Sequence, residues 1–237
     1  MTILFSVAEG VATITLNRPE VRNALNLQMC EALADVTKTI LEKKNVRVVF
    51  VRARGPVFCG GADLLERKGK DEAWIRARRM KAFAAYAALE SLPIPCIALV
   101  HGAAIGSGVE IAAACDFIVA TPDASFRTPE AQRGTVGATQ RLPRIIGKRL
   151  AKDLMFTGRS LGAEEARQAG FVARIAADLE EEKKRIAAEI LNAPAPALKL
   201  AKRTIDRGIE LDPQGALQAE IEAIEEQFAA GDWMGKA

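Results

Sequence analysis

The stretch CIALVHGAAIGSGVEIAAACDFIVAT, Cys96 to Thr121, decides the fold. Its first five residues form a dense apolar run and read as a buried strand. Gly102, Gly106 and Gly108 then mark a loop, GVEIAAA enters a helix, and DFIVAT reads as a second strand. Strand, glycine loop, helix and strand in succession are the unit of an α/β protein. One residue does not fit this apolar segment. Glu110 sits in the first turn of the helix, followed only by apolar residues, and a carboxylate taken out of water needs a partner or a task.

The same texture extends in both directions. ILFSV and VATITL flank Ala8-Glu9-Gly10 and predict a β-hairpin. Met29, Leu33, Val36 and Ile40 keep helical spacing. Val46–Ala53 reads as a buried strand followed by the glycine-rich GPVFCGGADLL. A long helix is predicted from Glu72 to Ser91, where Pro93 and Pro95 stop it. From about Leu179 the chain becomes all-helical, and Leu217, Ile221, Ile224 and Phe228 form one apolar face. That face requires cover, from the core or from another subunit. The sequence divides into a core over residues 1–178 and an all-helical segment over 179–237. It shows no internal repeat.

Composition excludes several functions. The 237 residues are 49% hydrophobic and 27% charged, with a formal net charge of +3, too small to argue for a nucleic-acid surface. The basic clusters RARRMK (Arg76–Lys81) and KRTIDR (Lys202–Arg207) read as solvated helix faces. Cys30, Cys59, Cys96 and Cys115 form no C-x-x-C pair, and with His101 as the sole histidine no zinc site is expected. Few cysteines and no leader in MTILFSVAEG point to a reducing, cytoplasmic setting. No apolar run approaches the ~20 residues of a membrane span.

Two loops share a design: FCGGADL after the first buried strand, and HGAAIGSGVE after the second. Both are expected to follow a strand directly and to enter a helix. Glycines let main chain approach a ligand, and helix starts offer unpaired N–H groups. Facing each other, two such loops would hold one oxyanion between two amides; each glycine set alone would equally serve a tight turn. Gly102, Gly106 and Gly108 also match the G-x-x-x-G-x-G of short-chain dehydrogenases. That family needs Tyr-x-x-x-Lys, whereas Tyr86 is followed four residues later by Glu90. A second acid, Glu130 in FRTPEAQRG, follows a short strand-like segment, and Pro129 suits a helix start. Spacing alone does not bring Glu110 and Glu130 together.

FCGGADL, HGAAIGSGVEIAAACD and FRTPEAQRGTVGATQRLPRIIG, with RPEVRNALN (Arg18–Asn26) and FTGRSLGAEEARQAGFV (Phe156–Val172), resemble the crotonase, or enoyl-CoA hydratase/isomerase, superfamily in one order along the chain. The resemblance implies a core of repeated ββα units, a helical C-terminal trimerisation segment over 179–237, and trimers or dimers of trimers. It places the oxyanion donors at the amides of Ala62 and Ser107 and the acid/base pair at Glu110 and Glu130, with Gly106 lining the substrate. It runs the CoA moiety of an acyl-CoA thioester along Val21, Arg22, Ala24, Ala62, Asp63, Leu64 and Leu65. Hydration of a trans-2-enoyl-CoA is the implied reaction, with no metal and no cofactor beyond the substrate's own coenzyme A. Isomerase or hydrolase chemistry and a weakly catalytic acyl-CoA-binding trimer are the alternatives. The segment AQRGTVGA after Glu130 is short for the family, which implies an altered acyl pocket. The tail DWMGKA stands where relatives continue with a CoA-contacting segment.

Overall fold

The computed structural model describes residues 1–231; residues 232–237, and with them the expected change in the CoA-contacting tail, lie outside the described residues. The chain opens on the predicted hairpin of β1 (Ile3–Ala8) and β2 (Val11–Leu16), antiparallel with Ala8 opposite Val11. Glu9 and Gly10, both at positive φ, make the two-residue turn whose twist matches the strands. α1 (Leu27–Glu42) starts where the Asn26 side chain accepts from the Met29 amide at 2.9 Å. β3 (Val48–Ala53) begins two residues later than expected, and α2 (Glu72–Glu90) is capped by Asp71 at the Trp74 amide.

Next come β4 (Cys96–Val100), β5 (Ala103–Ile105) and α3 (Ser107–Ala113), then β6 (Phe117–Ala120) and β7 (Ser125–Arg127). Short elements follow: α4 (Arg141–Ile146), α5 (Lys148–Thr157), β8 (Leu161–Gly162), α6 (Ala163–Gln168) and β9 (Arg174–Ile175). α7 (Leu179–Asn192), α8 (Ala195–Gly208) and α9 (Pro213–Ala230) close the described chain.

The large sheet runs β1-β2-β3-β4-β6-β9, parallel from β2 onward. Both its faces are covered, so β4 is apolar throughout and β3 is apolar but for Arg52. Val49, Val51, Ala98 and Val100 point into the main core with α1 and α2, while Val48, Phe50, Ile97 and Leu99 meet Ile186 and Ala187 of α7. Each large side chain buried this way contributes about 1.5–3 kcal/mol. A small sheet, β5-β7-β8, lies beside the large one.

A repeat absent from the amino acids is present in the backbone. In successive units the first strand (β4, β6) joins the large sheet, the second (β5, β7) joins the small one, and a helix or helical turn follows. β3 is the first strand of an earlier unit whose second strand is reduced to a single bridge, Cys59 to Ala104. Residues 59, 104 and 126 therefore lie side by side, because Ala104 pairs with Phe126 in turn.

The C-terminal helices behave unlike the core. α8 buries no residue, and Ile205, Ile209, Leu217, Ile221, Ile224 and Phe228 are exposed. No helix of the described residues is long and apolar enough to cross a membrane.

Candidate active site

The site lies where each repeat leaves the small sheet. Three residues beyond the aligned positions 59, 104 and 126 stand Ala62, Ser107 and Pro129, with Glu130 next in chain. Main-chain hydrogen bonds tie these exits together. The Ile105 amide donates to the Cys59 carbonyl at 2.9 Å, the Cys59 amide to Ala103 at 3.1 Å, and the Gly106 amide to Arg127 at 2.8 Å.

Ala62 is aimed by a parallel bridge to Leu25. Leu25 donates to the Gly61 carbonyl at 2.7 Å and accepts from the Asp63 amide at 2.9 Å. Alternation along an extended chain then turns the Ala62 amide away from Leu25. Gly61, at φ 104, brings this strand against the second loop: a Cβ there would lie 3.2 Å from the Ile105 carbonyl oxygen. Ser107 is the first residue of α3, where amides have no intrahelical acceptor. Among the described residues, neither the Ala62 nor the Ser107 amide donates a hydrogen bond.

One sequence expectation needs correction here. The first loop does not enter an α-helix. It enters a 3-10 turn, Leu65–Arg67, so Ala62 gains no helix dipole and depends on the bridge alone for its direction. The second loop follows β4 directly, as expected, and itself contains β5, which anchors it to β7.

Glu110, on α3, is 7% exposed. Its Oε2 accepts from Arg141 Nη1 at 2.9 Å, and Arg141 also donates to both carboxylate oxygens of Glu90. Burial raises the Glu110 pKa, and Arg141 opposes that rise. Glu130 follows β7 and Pro129 and precedes a 3-10 turn, Ala131–Arg133, rather than an α-helix. Its side chain lies across Gly106, whose φ of 49 and contact with Glu130 Oε1 leave no room for a Cβ. Glu130 Oε2 is shut off from solvent with no hydrogen-bond partner. Burial, then the charge of Glu110, push its pKa up, while Arg133 and Arg79 offset part of the rise.

Both acids and both amide-bearing residues line one cavity of about 80 Å³, with Gly106 and Leu64. Tyr86 and several arginines of α2 and the preceding loop complete it. The Tyr86 phenol is pushed far up by burial, partly offset by its contact with the Ser107 hydroxyl.

The expected CoA-contacting residues flank this cavity. Val21, Arg22 and Ala24 lie beside the first loop, since the Gly60 amide donates to the Arg22 carbonyl at 2.8 Å. Arg22, Leu64 and Leu65 are exposed, whereas Asp63 is buried. The Asp63 carboxylate pairs with Arg18 at 2.9 Å and accepts from the Leu65 amide at 3.0 Å. Its side chain braces the loop, so a ligand would meet the main chain there.

Sequence reasoning missed Arg141, which reaches Glu110 across 31 positions with no local pattern to announce it. RARRMK was also misjudged as a solvated face: Arg78 is 3% exposed and Arg79 half-buried. In KRTIDR, Lys202 is turned inward to Asp116 at 2.8 Å.

Comparison with known proteins agrees with this architecture. Residues 6–235 match the family model described as enoyl-CoA hydratase/isomerase. The chain is similar to human enoyl-CoA hydratase domain-containing protein 2, mitochondrial, at 39% identity over 215 residues, 86% of this chain and 73% of that one. It is similar to the crystal structure of enoyl-CoA hydratase from Bacillus anthracis at 38% identity and a TM-score of 0.91, over 95% of this chain and 90% of that one. A Thermobifida fusca protein solved in complex with acetoacetyl-CoA aligns at 28% identity and a TM-score of 0.88, over 97% of this chain and 95% of that one.

Proposed function

The chain belongs to the enoyl-CoA hydratase/isomerase family, and we propose that it adds water to a trans-2-enoyl-CoA, giving a 3-hydroxyacyl-CoA. The observation that carries this reading is the convergence of two unpaired amides and two carboxyl groups of unlike environment on one cavity.

The thioester oxygen sits between the Ala62 and Ser107 N–H groups, which polarise the carbonyl and stabilise enolate charge. Each such donor supplies about 3–4 kcal/mol. Glu110, whose carboxylate form Arg141 favours, orients a water molecule and takes its proton as the oxygen attacks the β-carbon. Glu130 has no cation at ion-pair distance and a like charge nearby, so it favours the neutral form and gives its proton to the α-carbon. Glu110 ends protonated and Glu130 ionised; proton exchange through water resets the pair. No step calls on a metal or a cofactor other than the substrate's coenzyme A.

The CoA moiety runs over Val21, Arg22, Ala24 and Ala62 to Leu65, where exposed Arg22 meets phosphate and exposed Leu64 and Leu65 meet the pantetheine. The apolar exposure of α8 and α9 supports assembly as a homotrimer or dimer of trimers. The four free cysteines, all buried, support a reducing, cytoplasmic setting.

Hydration of crotonyl-CoA, followed by loss of enoyl absorbance, tests the reading. Glu130→Gln is expected to lower kcat by about 10²–10⁴ while CoA-ester binding survives. A near-normal rate in that variant overturns the assignment. Migration of the double bond without uptake of water would move the protein to isomerase chemistry.

A further inference from the structure

Four arginines line the same cavity: Arg67, Arg78, Arg79 and Arg133. Arg78 is already neutralised. Its Nε meets Glu66 Oε1 at 2.6 Å, another nitrogen donates to the Leu25 carbonyl, and the side chain is buried. The other three make no ion pair among the described residues. Arg79 donates at 2.6 Å to the neutral hydroxyl of Thr135, and Arg67 Nε is closed off from solvent without a hydrogen-bond partner.

We propose that the acyl end of this cavity is built for a short acyl group ending in a carboxylate, gripped by Arg67 and Arg79 with Arg133 beside them. The inference rests on the acyl-CoA reading above and adds to it the charge of the acyl group.

An aliphatic chain laid against these guanidinium groups would strip water from cations and return no partner. A carboxylate reverses that balance, because the planar fork of arginine matches its two oxygens. Burial and the neighbouring charges of Arg78 and Arg79 already lower the Arg67 pKa, a crowding that an anion relieves. The two carboxyl groups facing the cavity do not supply that anion. Glu110 is held by Arg141, and Glu130 forms no ion pair with Arg79 or Arg133. The phosphates of CoA are separated from the thioester by the whole pantetheine arm. They do not reach a cavity shared with both acids and both amides.

The test pairs two esters of equal shape on the intact protein. Glutaconyl-CoA ends in a carboxylate; 5-methylhex-2-enoyl-CoA carries an isopropyl group in its place. We expect kcat/KM to favour glutaconyl-CoA by at least about tenfold. Arg67→Met and Arg79→Met should each cut that ratio at least about fivefold, with Lys restoring part of it, and exposed Arg133→Met should reduce it without risk to the fold. Preference for the isopropyl ester overturns the proposal, as does equal weakening of both esters and of free CoA by the arginine variants. Dissociation constants for glutaryl-CoA and 5-methylhexanoyl-CoA read the same preference without turnover. A retained diacid preference with no hydration of any ester would overturn the hydratase reading and uphold this one.

Discussion

Glu110 and Glu130 face one cavity from opposite settings. Glu110 stands on a helix packed into the core and shares Arg141 with Glu90. Glu130 stands on an irregular segment, with one oxygen lying over bare glycine and the other unpartnered. Burial raises both pKa values, yet a cation opposes the rise at ion-pair distance only for Glu110. Identical side chains thus stand in different electrostatic settings, and a difference of that kind is what an acid/base pair requires.

The most forceful way to break the comparison is Gly106→Ala. An added Cβ displaces Glu130 and leaves Glu110 in place, and the left-handed backbone strains as well. Turnover is expected to fall by about 10³, with a stability loss of about 1–3 kcal/mol by denaturant titration. Activity within a few-fold of the parent would show that the position of Glu130 is unimportant.

Arg141→Gln disturbs the other wall. Without the cation the Glu110 carboxylate is less favoured, so its pKa climbs further and the acid limb of the kcat/KM profile moves to higher pH. The expected loss near neutrality is about tenfold. A limb that stays in place would dissociate Arg141 from the base.

The smallest effect concerns stability. The folded chain holds a proton on Glu130 above the ordinary glutamate value of 4.5, so wild-type stability falls as pH rises from that value through the raised one. Glu130→Gln removes this loss. It should match the parent near pH 4 and exceed it by about 1 kcal/mol at pH 8. Glu110→Gln should gain less at pH 8, because it also removes the Arg141 ion pair that opposes the rise. Equal behaviour of the two variants in denaturation would erase the distinction drawn here.

Much of this was readable beforehand, for reasons visible in particular residues. The central strands read clearly because Val48–Val51 and Cys96–Val100 are apolar on both faces. Glu110 stood out as a carboxylate heading an otherwise apolar helix. The small sheet did not read: Ala103–Ile105 is three residues long, too short for any periodicity, and its partners lie at 59 and 125–127. The structural repeat was hidden because register recurs and residue identity does not. The arginines of α2 were misjudged since a helical face carrying like charges normally meets water, whereas here it turns toward a cavity. The reach of Arg141 to Glu110 is a property of the folded chain alone.

The ladder joining Cys59, Ala104 and Phe126 carries a consequence for how such a protein can change. Three hooks hang from one rail of main chain, and two of them present groups that every amino acid except proline possesses. Mutation can therefore reshape the lining of the cavity while the two free amides pass unaltered from one variant to the next.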